Sequence, residues 1–305
     1  MNKSIWWVPW VIAAAAPGVG HACACGCGIF DVSTASMFPT RSGVMMFLEQ
    51  DFMDQDRNWS GTSGAPAQDN NDKRIRTNFW TVGAQYMFSR AWSAELDVPY
   101  WQRRFVTTGA DGGPAAFTHS AVGDVRLKGI YTGLSEDLST GITFGVKLPS
   151  GDSTYANFDP DTQIGSGSTD VLLGAYHLGS LTADNHWSWF TSAQWQQPVQ
   201  HKANYRPGAE LDAVTGVYYT GWRLGSSLRL APLLQVAASY RGHDGGPMGH
   251  PADSGYSRAF LTPGLELDAG NVRIYADVAR SLYTNASGNQ LVARTLVKLS
   301  VSVHF

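Results

Sequence analysis

Val297-Lys298-Leu299-Ser300-Val301-Ser302-Val303-His304-Phe305 alternates apolar and polar residues without a break. Period two is the repeat of a β-strand with two unlike faces. Left at an open edge in a soluble protein, such a strand invites aggregation. The same alternation recurs upstream in runs of about ten residues. Twelve are readable, near 43–52, 76–88, 92–104, 121–133, 138–149, 168–180, 187–197, 210–224, 233–242, 257–268, 271–283 and 292–305. Short turns, at Ser89-Arg90-Ala91, Leu134–Asp137, Thr182–Asn185, Ala231-Pro232 and Ala269-Gly270, alternate with longer polar connections at 53–75, 105–120, 150–167, 198–209, 243–256 and 284–291. An even strand count with every long loop at one end is the pattern of bacterial membrane barrels, whose short turns face the periplasm. The reading is an all-β transmembrane antiparallel barrel of about 12 strands.

Composition agrees. Of 305 residues only 15% are charged, against roughly 25% in a typical soluble domain, while 12% are aromatic and 33 are glycine. A net charge of −3 gives no basic face for nucleic acid. No apolar stretch of about 20 residues exists to form a membrane helix, and the aromatic content excludes a disordered chain. Leu96, Val98 and Tyr100 oppose Glu95 and Asp97, and Ile142, Phe144, Val146 and Leu148 oppose Thr143, Gly145 and Lys147. A soluble lipocalin-like barrel would carry the same pattern with its faces reversed. Loop asymmetry and the aromatics Trp80, Trp92, Trp101, Trp187 and Trp222 near strand ends favour lipid outside.

Lys3 followed by apolar Ile5–Ala16 and small residues reads as a secretory signal peptide over 1–22, since twelve residues are too few to cross a bilayer. The expected order is this signal, a periplasmic segment over 23–42, and the barrel over 43–305 in the outer membrane. All three cysteines, Cys23, Cys25 and Cys27, fall in that segment. Thiolates at this spacing suit copper or zinc, although a closed zinc site wants a fourth ligand. Otherwise no cofactor is expected.

Three motifs carry a resemblance to a family. Gly123-Asp124-Val125-Arg126-Leu127-Lys128, Gly145-Val146-Lys147-Leu148-Pro149-Ser150-Gly151-Asp152 and Ile164-Gly165-Ser166-Gly167-Ser168-Thr169-Asp170 resemble segments of the outer-membrane β-barrel family linked to transport in the meta-pathway of phenol degradation. The likeness runs over roughly 75–305 and is clearest over 121–240. It implies a channel for small solutes, aromatic or hydrophobic compounds among them, and no catalytic residues. The last strand likewise resembles the terminal signal read by the barrel assembly machinery, with Phe305 as its last residue.

The predicted lumen set holds Glu49, Asp51, Glu95, Asp97, Asp124, Glu266 and Asp277 against Arg126, Lys128, Lys147, Arg241, Arg273, Arg294 and Lys298. As rings these would form a selectivity filter; as pairs they would neutralise a packed interior. Glu95, Asp97, Asp124, Arg126, Lys128, Lys147, Glu266 and Arg273 are the selectivity candidates. His243, Met248 and His250, with Asp244 beside them, offer imidazole and thioether ligands for copper. Asp54, Asp56, Asp69 and Asp72 in the 53–75 connection suit calcium chemically but match no ligand spacing. His119-Ser120 and His177 have no partner in register for a nucleophile and base, so no enzyme is expected. The expected partners are outer-membrane lipid, the assembly machinery and a small solute. The competing reading is a non-conducting scaffold whose cysteine segment holds a soft metal or a periplasmic partner.

Overall fold

The computed structural model describes Phe38, residues 42–225 and residues 227–305. Its strands are β1 (Gly43–Gly61), β2 (Ser63–Gly64), β3 (Asp72–Ser89), β4 (Trp92–Thr108), β5 (Pro114–Val122), β6 (Arg126–Tyr131), β7 (Thr140–Lys147), β8 (Thr169–Ser180), β9 (Trp187–Gln200), β10 (Glu210–Tyr219), β11 (Trp222–Leu224), β12 (Leu228–Arg241), β13 (Tyr256–Ala269) and β14 (Val272–His304). The signal peptide and the three cysteines lie outside the described residues.

Eleven strands run in the order β10-β9-β8-β7-β6-β4-β3-β1-β14-β13-β12, and pairing of β10 with β12 closes the ring. β14 occupies two places in that wall. It pairs with β13 from Val272 to Ala286 and with β1 from Ala286 to His304. A straight strand of its 33 residues would reach about 110 Å, far beyond a hydrocarbon core of about 30 Å. The chain therefore reverses within β14, near Gly288 with its φ of +69°. The His304 amide returns to donate to the Asn271 carbonyl at 2.9 Å. One further wall position is shared: β5 pairs with β4 over Tyr100–Thr108 and β6 with β4 over Trp92–Asp97.

Burial alternates with apolar residues outward. On β4, Glu95 and Asp97 are 7% and 6% exposed, whereas Leu96 and Val98 are 40% and 37% exposed. Leu127 on β6, Phe144 on β7, Leu173 on β8 and Leu299 on β14 are exposed in the same way. An apolar belt around a closed ladder belongs in lipid, because closure leaves no unpaired backbone edge for the bilayer to solvate. The soluble alternative is excluded by this inversion. Trp92, Trp187 and Trp222 are exposed at strand ends; Trp80 is a correction, exposed but in the middle of β3. Trp101 is a correction: it faces the lumen, edge-on to Phe79 with ring centroids 4.8 Å apart.

Several connections expected to be open loops are strands. β1 and β3 run deep into 53–75, β4 and β5 into 105–120, and β14 passes through 284–291. Outside the bilayer a hairpin needs no apolar face, so hydrophobic alternation fades while the backbone ladder continues. Ionic cross-strand contacts hold one such extension, where Arg74 and Arg76 both donate to Asp54. Ala231-Pro232 is likewise no turn but lies inside β12. Proline has no amide hydrogen to give to a ladder. Pro232 falls between the stretch of β12 paired with β11 and the stretch paired with β10. The turn comes earlier, between Leu224 and Leu228.

Phe305 is 74% exposed, and its amide donates to the Val44 carbonyl at 2.8 Å across the β1–β14 seam. Deleting Phe305 should lower the folded, heat-modifiable barrel in membranes severalfold. Phe305→Ala keeps the backbone bond, so a comparable loss in that variant would place the effect in the aromatic side chain. Normal levels of the deletion by quantitative blotting would reject Phe305 as an assembly signal.

Candidate functional site

The lumen holds charge in a repeated motif. Acids at positions i and i+2 of one strand share a face, and a base on the adjacent strand lies between them. Lys128 Nζ is 2.6 Å from Glu95 and 2.9 Å from Asp97. Lys298 Nζ is 3.1 Å from Glu49 and 3.9 Å from Asp51. Arg273 Nε is 2.5 Å from Asp268 and 3.5 Å from Glu266. Two further bases bridge acids on different elements. Lys147 Nζ is 2.6 Å from Asp170 and 3.7 Å from Asp124, and Arg241 reaches Asp244 at 2.8 Å and Glu210 at 3.5 Å. Arg126 stands in register between Asp97 and Lys147. The selectivity candidates are thus gathered on the lumen wall, bridged rather than ranged as rings of one sign.

The predicted lumen set left out Asp170, Glu210 and Asp268, and Asp244, named there only beside the copper candidates, bonds to Arg241. Asp268 was visible as the i+2 partner of Glu266, and Asp170 shares the parity of Leu172 and Tyr176, both buried in the lumen. Arg294 is a correction: it is exposed. The β1–β14 register shifts between Met53 and Gln55. Such a bulge reverses which parity points inward, so counting by two across it assigns the wrong face.

Residues 148–168, between β7 and β8, are fastened back onto the barrel. Arg103, 1% exposed, donates to the carbonyls of Thr162 at 2.5 Å and Gln163 at 3.1 Å. The Asp124 carboxylate accepts from the amides of Gly151 at 3.0 Å and Ser166 at 2.8 Å. Gly165 packs against Gly151 so closely that any Cβ would collide with the Gly151 backbone. Phe158 seats edge-on to Phe105 at 5.7 Å. His119 lies 2.8 Å from Asp152 through Nε2 and stacks on Tyr155 at 4.1 Å. His119 is thereby part of a loop clasp. His177, by contrast, contacts Thr140 Oγ1 at 2.8 Å near the other rim.

The Asp152 carboxyl is held below the usual carboxylate range, first by the Thr154 amide and then by His119. A depressed acid contributes to the clasp at pH above its unfolded value and loses that contribution as pH falls through the folded one. Protection of 148–168 should therefore be full above about pH 4 and fall below it. Asp152→Asn should show the unclasped level at every pH. Hydrogen exchange normalised to intrinsic rates reads this out, and identical protection in the variant at neutral pH would remove Asp152 from the clasp.

Among the described residues no group of three or more His, Cys, Asp or Glu side chains is placed to share a metal. Met248 sulfur accepts from Asn204 Nδ2 at 3.1 Å. His250 adopts a φ of 42° ahead of the Pro251–Asp253 turn. Of the acids in 53–75, Asp54 is taken by arginines and Asp72 accepts from Thr107 at 3.0 Å.

Inside the lumen runs an apolar layer drawn from strands all around the ring. It includes Phe79 of β3, Ile130 of β6, Tyr176 of β8, Phe190 of β9 and Phe260 of β13. On the short-turn side lies a cavity of about 230 Å³, lined by Tyr218, Leu233, Glu266 and Arg273 among others. On the long-loop side lies one of about 90 Å³, between Arg103, Lys147, Tyr205 and Arg241. The layer stands between them: Phe190 lines the first cavity and Trp101 the second, and both pack in the layer.

No protein-family profile matches the sequence, and no curated protein matches it. Solved structures do. An outer-membrane channel from Pseudomonas putida F1 aligns over 90% of this chain and 100% of its own, with TM-score 0.64 and 16% identity. The β domain of a Bordetella autotransporter, BrkA, aligns over 87% and 100%, with TM-score 0.51 and 9% identity. At such identities the likeness is one of fold. The chain is a closed outer-membrane β-barrel with a lipid-facing exterior.

Proposed function

We propose that this barrel is an outer-membrane channel for small solutes, with aromatic or hydrophobic compounds as its substrates. The observation that carries the reading is the pair of lumen cavities, one toward each rim, separated by a layer rich in aromatic side chains. The lumen bases are taken up in bridges to acids on neighbouring strands, so they do not form a ring of positive charge around the passage. Apolar and aromatic lining with a few convergent polar groups is the usual make-up of a small-molecule site. The P. putida channel shares the fold, and the motif resemblance points to the same class of solute.

Uptake of phenol by proteoliposomes tests this directly. Reconstituted barrel should admit phenol faster than vesicles holding heat-unfolded protein, and should show only small single-channel currents in a planar bilayer. Entry no faster than in control vesicles, from protein shown to be folded by its gel mobility, would reject the channel.

A further inference from the structure

One ring in the apolar layer belongs to no strand. Phe38 lies five positions ahead of Gly43, where β1 begins at the short-turn rim, yet it is 4% exposed inside the lumen. It stacks on Tyr176 with centroids 4.1 Å apart and ring planes 9° from parallel. Tyr176 forms a flat platform for a local reason. It stands in register with Gly141 on β7, and a Cβ at Gly141 would collide with the Tyr176 ring. Glycine there lets the tyrosine lie flat against the wall and turn its other face to the lumen. Tyr176 Oη is buried with no hydrogen-bond partner, which is costly in an apolar setting.

We infer that the Tyr176 face is a binding site for a flat aromatic ring bearing a hydroxyl, and that Phe38 is a built-in occupant which such a solute displaces. The inference rests on the channel reading and adds the site and its stopper. Phe38 offers the ring stacking a solute would offer, and leaves the tyrosine hydroxyl unsatisfied. A free aromatic solute offers the same stack, and one that bears a hydroxyl can pair with Tyr176 Oη as it moves to the ring edge, which the phenylalanine side chain, with no polar atom, does at no position. Phe38 belongs to the layer that separates the two cavities, so its departure opens the lumen where the passage is interrupted.

The test places 4-fluorophenylalanine at position 38 in the full chain and follows its fluorine resonance in detergent. The stacked ring should show a ring-current shift that is lost in Tyr176→Leu. Phenol should move the resonance saturably in the parent barrel, and cyclohexanol, with a hydroxyl but no aromatic ring, should not. In planar bilayers Phe38→Ala should raise the resting conductance severalfold, and phenol should raise the parent's conductance but not the variant's. A fluorine resonance unmoved by saturating phenol overturns the proposal, as does equal conductance of folded Phe38→Ala and parent barrels that both conduct. A saturable fluorine shift in a barrel that conducts in no variant upholds the site and removes the channel reading instead.

Discussion

Lys147→Met should destabilise the barrel by about 3–5 kcal/mol, the usual cost of removing one partner of a buried ion pair. The ammonium is on a residue 5% exposed, between Asp170 at 0% and Asp124 at 7%. Without it Asp170 keeps only the Gln196 amide and the Ser168 hydroxyl, each at 2.6 Å. Two dipoles do not balance a carboxylate taken out of water. The folded band on mild detergent gels should convert at a lower temperature, and the denaturant midpoint should fall. Adding Asp170→Asn removes the stranded charge and should recover much of the loss. A selectivity filter predicts a different outcome: Lys147→Met would leave stability unchanged and shift the reversal potential toward cations. That result would overturn the pairing.

Gly165→Val should release residues 148–168 while leaving the wall intact. The colliding atoms are the carbonyl and Cα of Gly151, which cannot swing aside as a flexible side chain would. Overpacking of this kind costs about 1–3 kcal/mol, enough to raise the open fraction of the segment about tenfold or more. The Asp124 bonds to Gly151 and Ser166 should go with it, and the Arg103 clasp should loosen. Chymotrypsin should then cut at Tyr155 or Phe158 about tenfold faster than in the parent, if cutting follows the open population. Gly165→Ala should behave similarly but less severely. Unchanged cleavage in Gly165→Val would mean that the crossing of the two glycines does not hold the segment.

Much of the architecture was readable because it follows from the backbone. A strand that crosses a bilayer must alternate its faces and must pair on both sides. The runs at 43–52, 92–104 and 292–305 therefore revealed their strands, their lipid face and their place in a closed ring before any contact was known. The same rule identified most of the charged lumen residues, Glu95, Asp97, Lys128 and Lys147 among them. It failed where alternation stops reporting on pairing. Beyond the bilayer β1, β3 and β14 continue as ladders held by polar contacts, and at the Met53/Gln55 irregularity the parity reverses, so Arg294 points outward.

Residue order is enough for the class of fold, the membrane it suits and the sign of charge along each face, because these depend on neighbours one or two residues away. Tertiary structure alone decided which base lies between which acids, that residues 148–168 fold back onto Arg103 and Asp124, and that Phe38 rests on Tyr176. Apart from Arg273 with its two acids and Arg241 with Asp244, those contacts join residues from 23 to well over 200 positions apart, and a single chain read in order carries no mark of such distances. Closing the ring brings them together: strand register sets which side chains face one another, and a lumen this narrow forces opposite walls into contact.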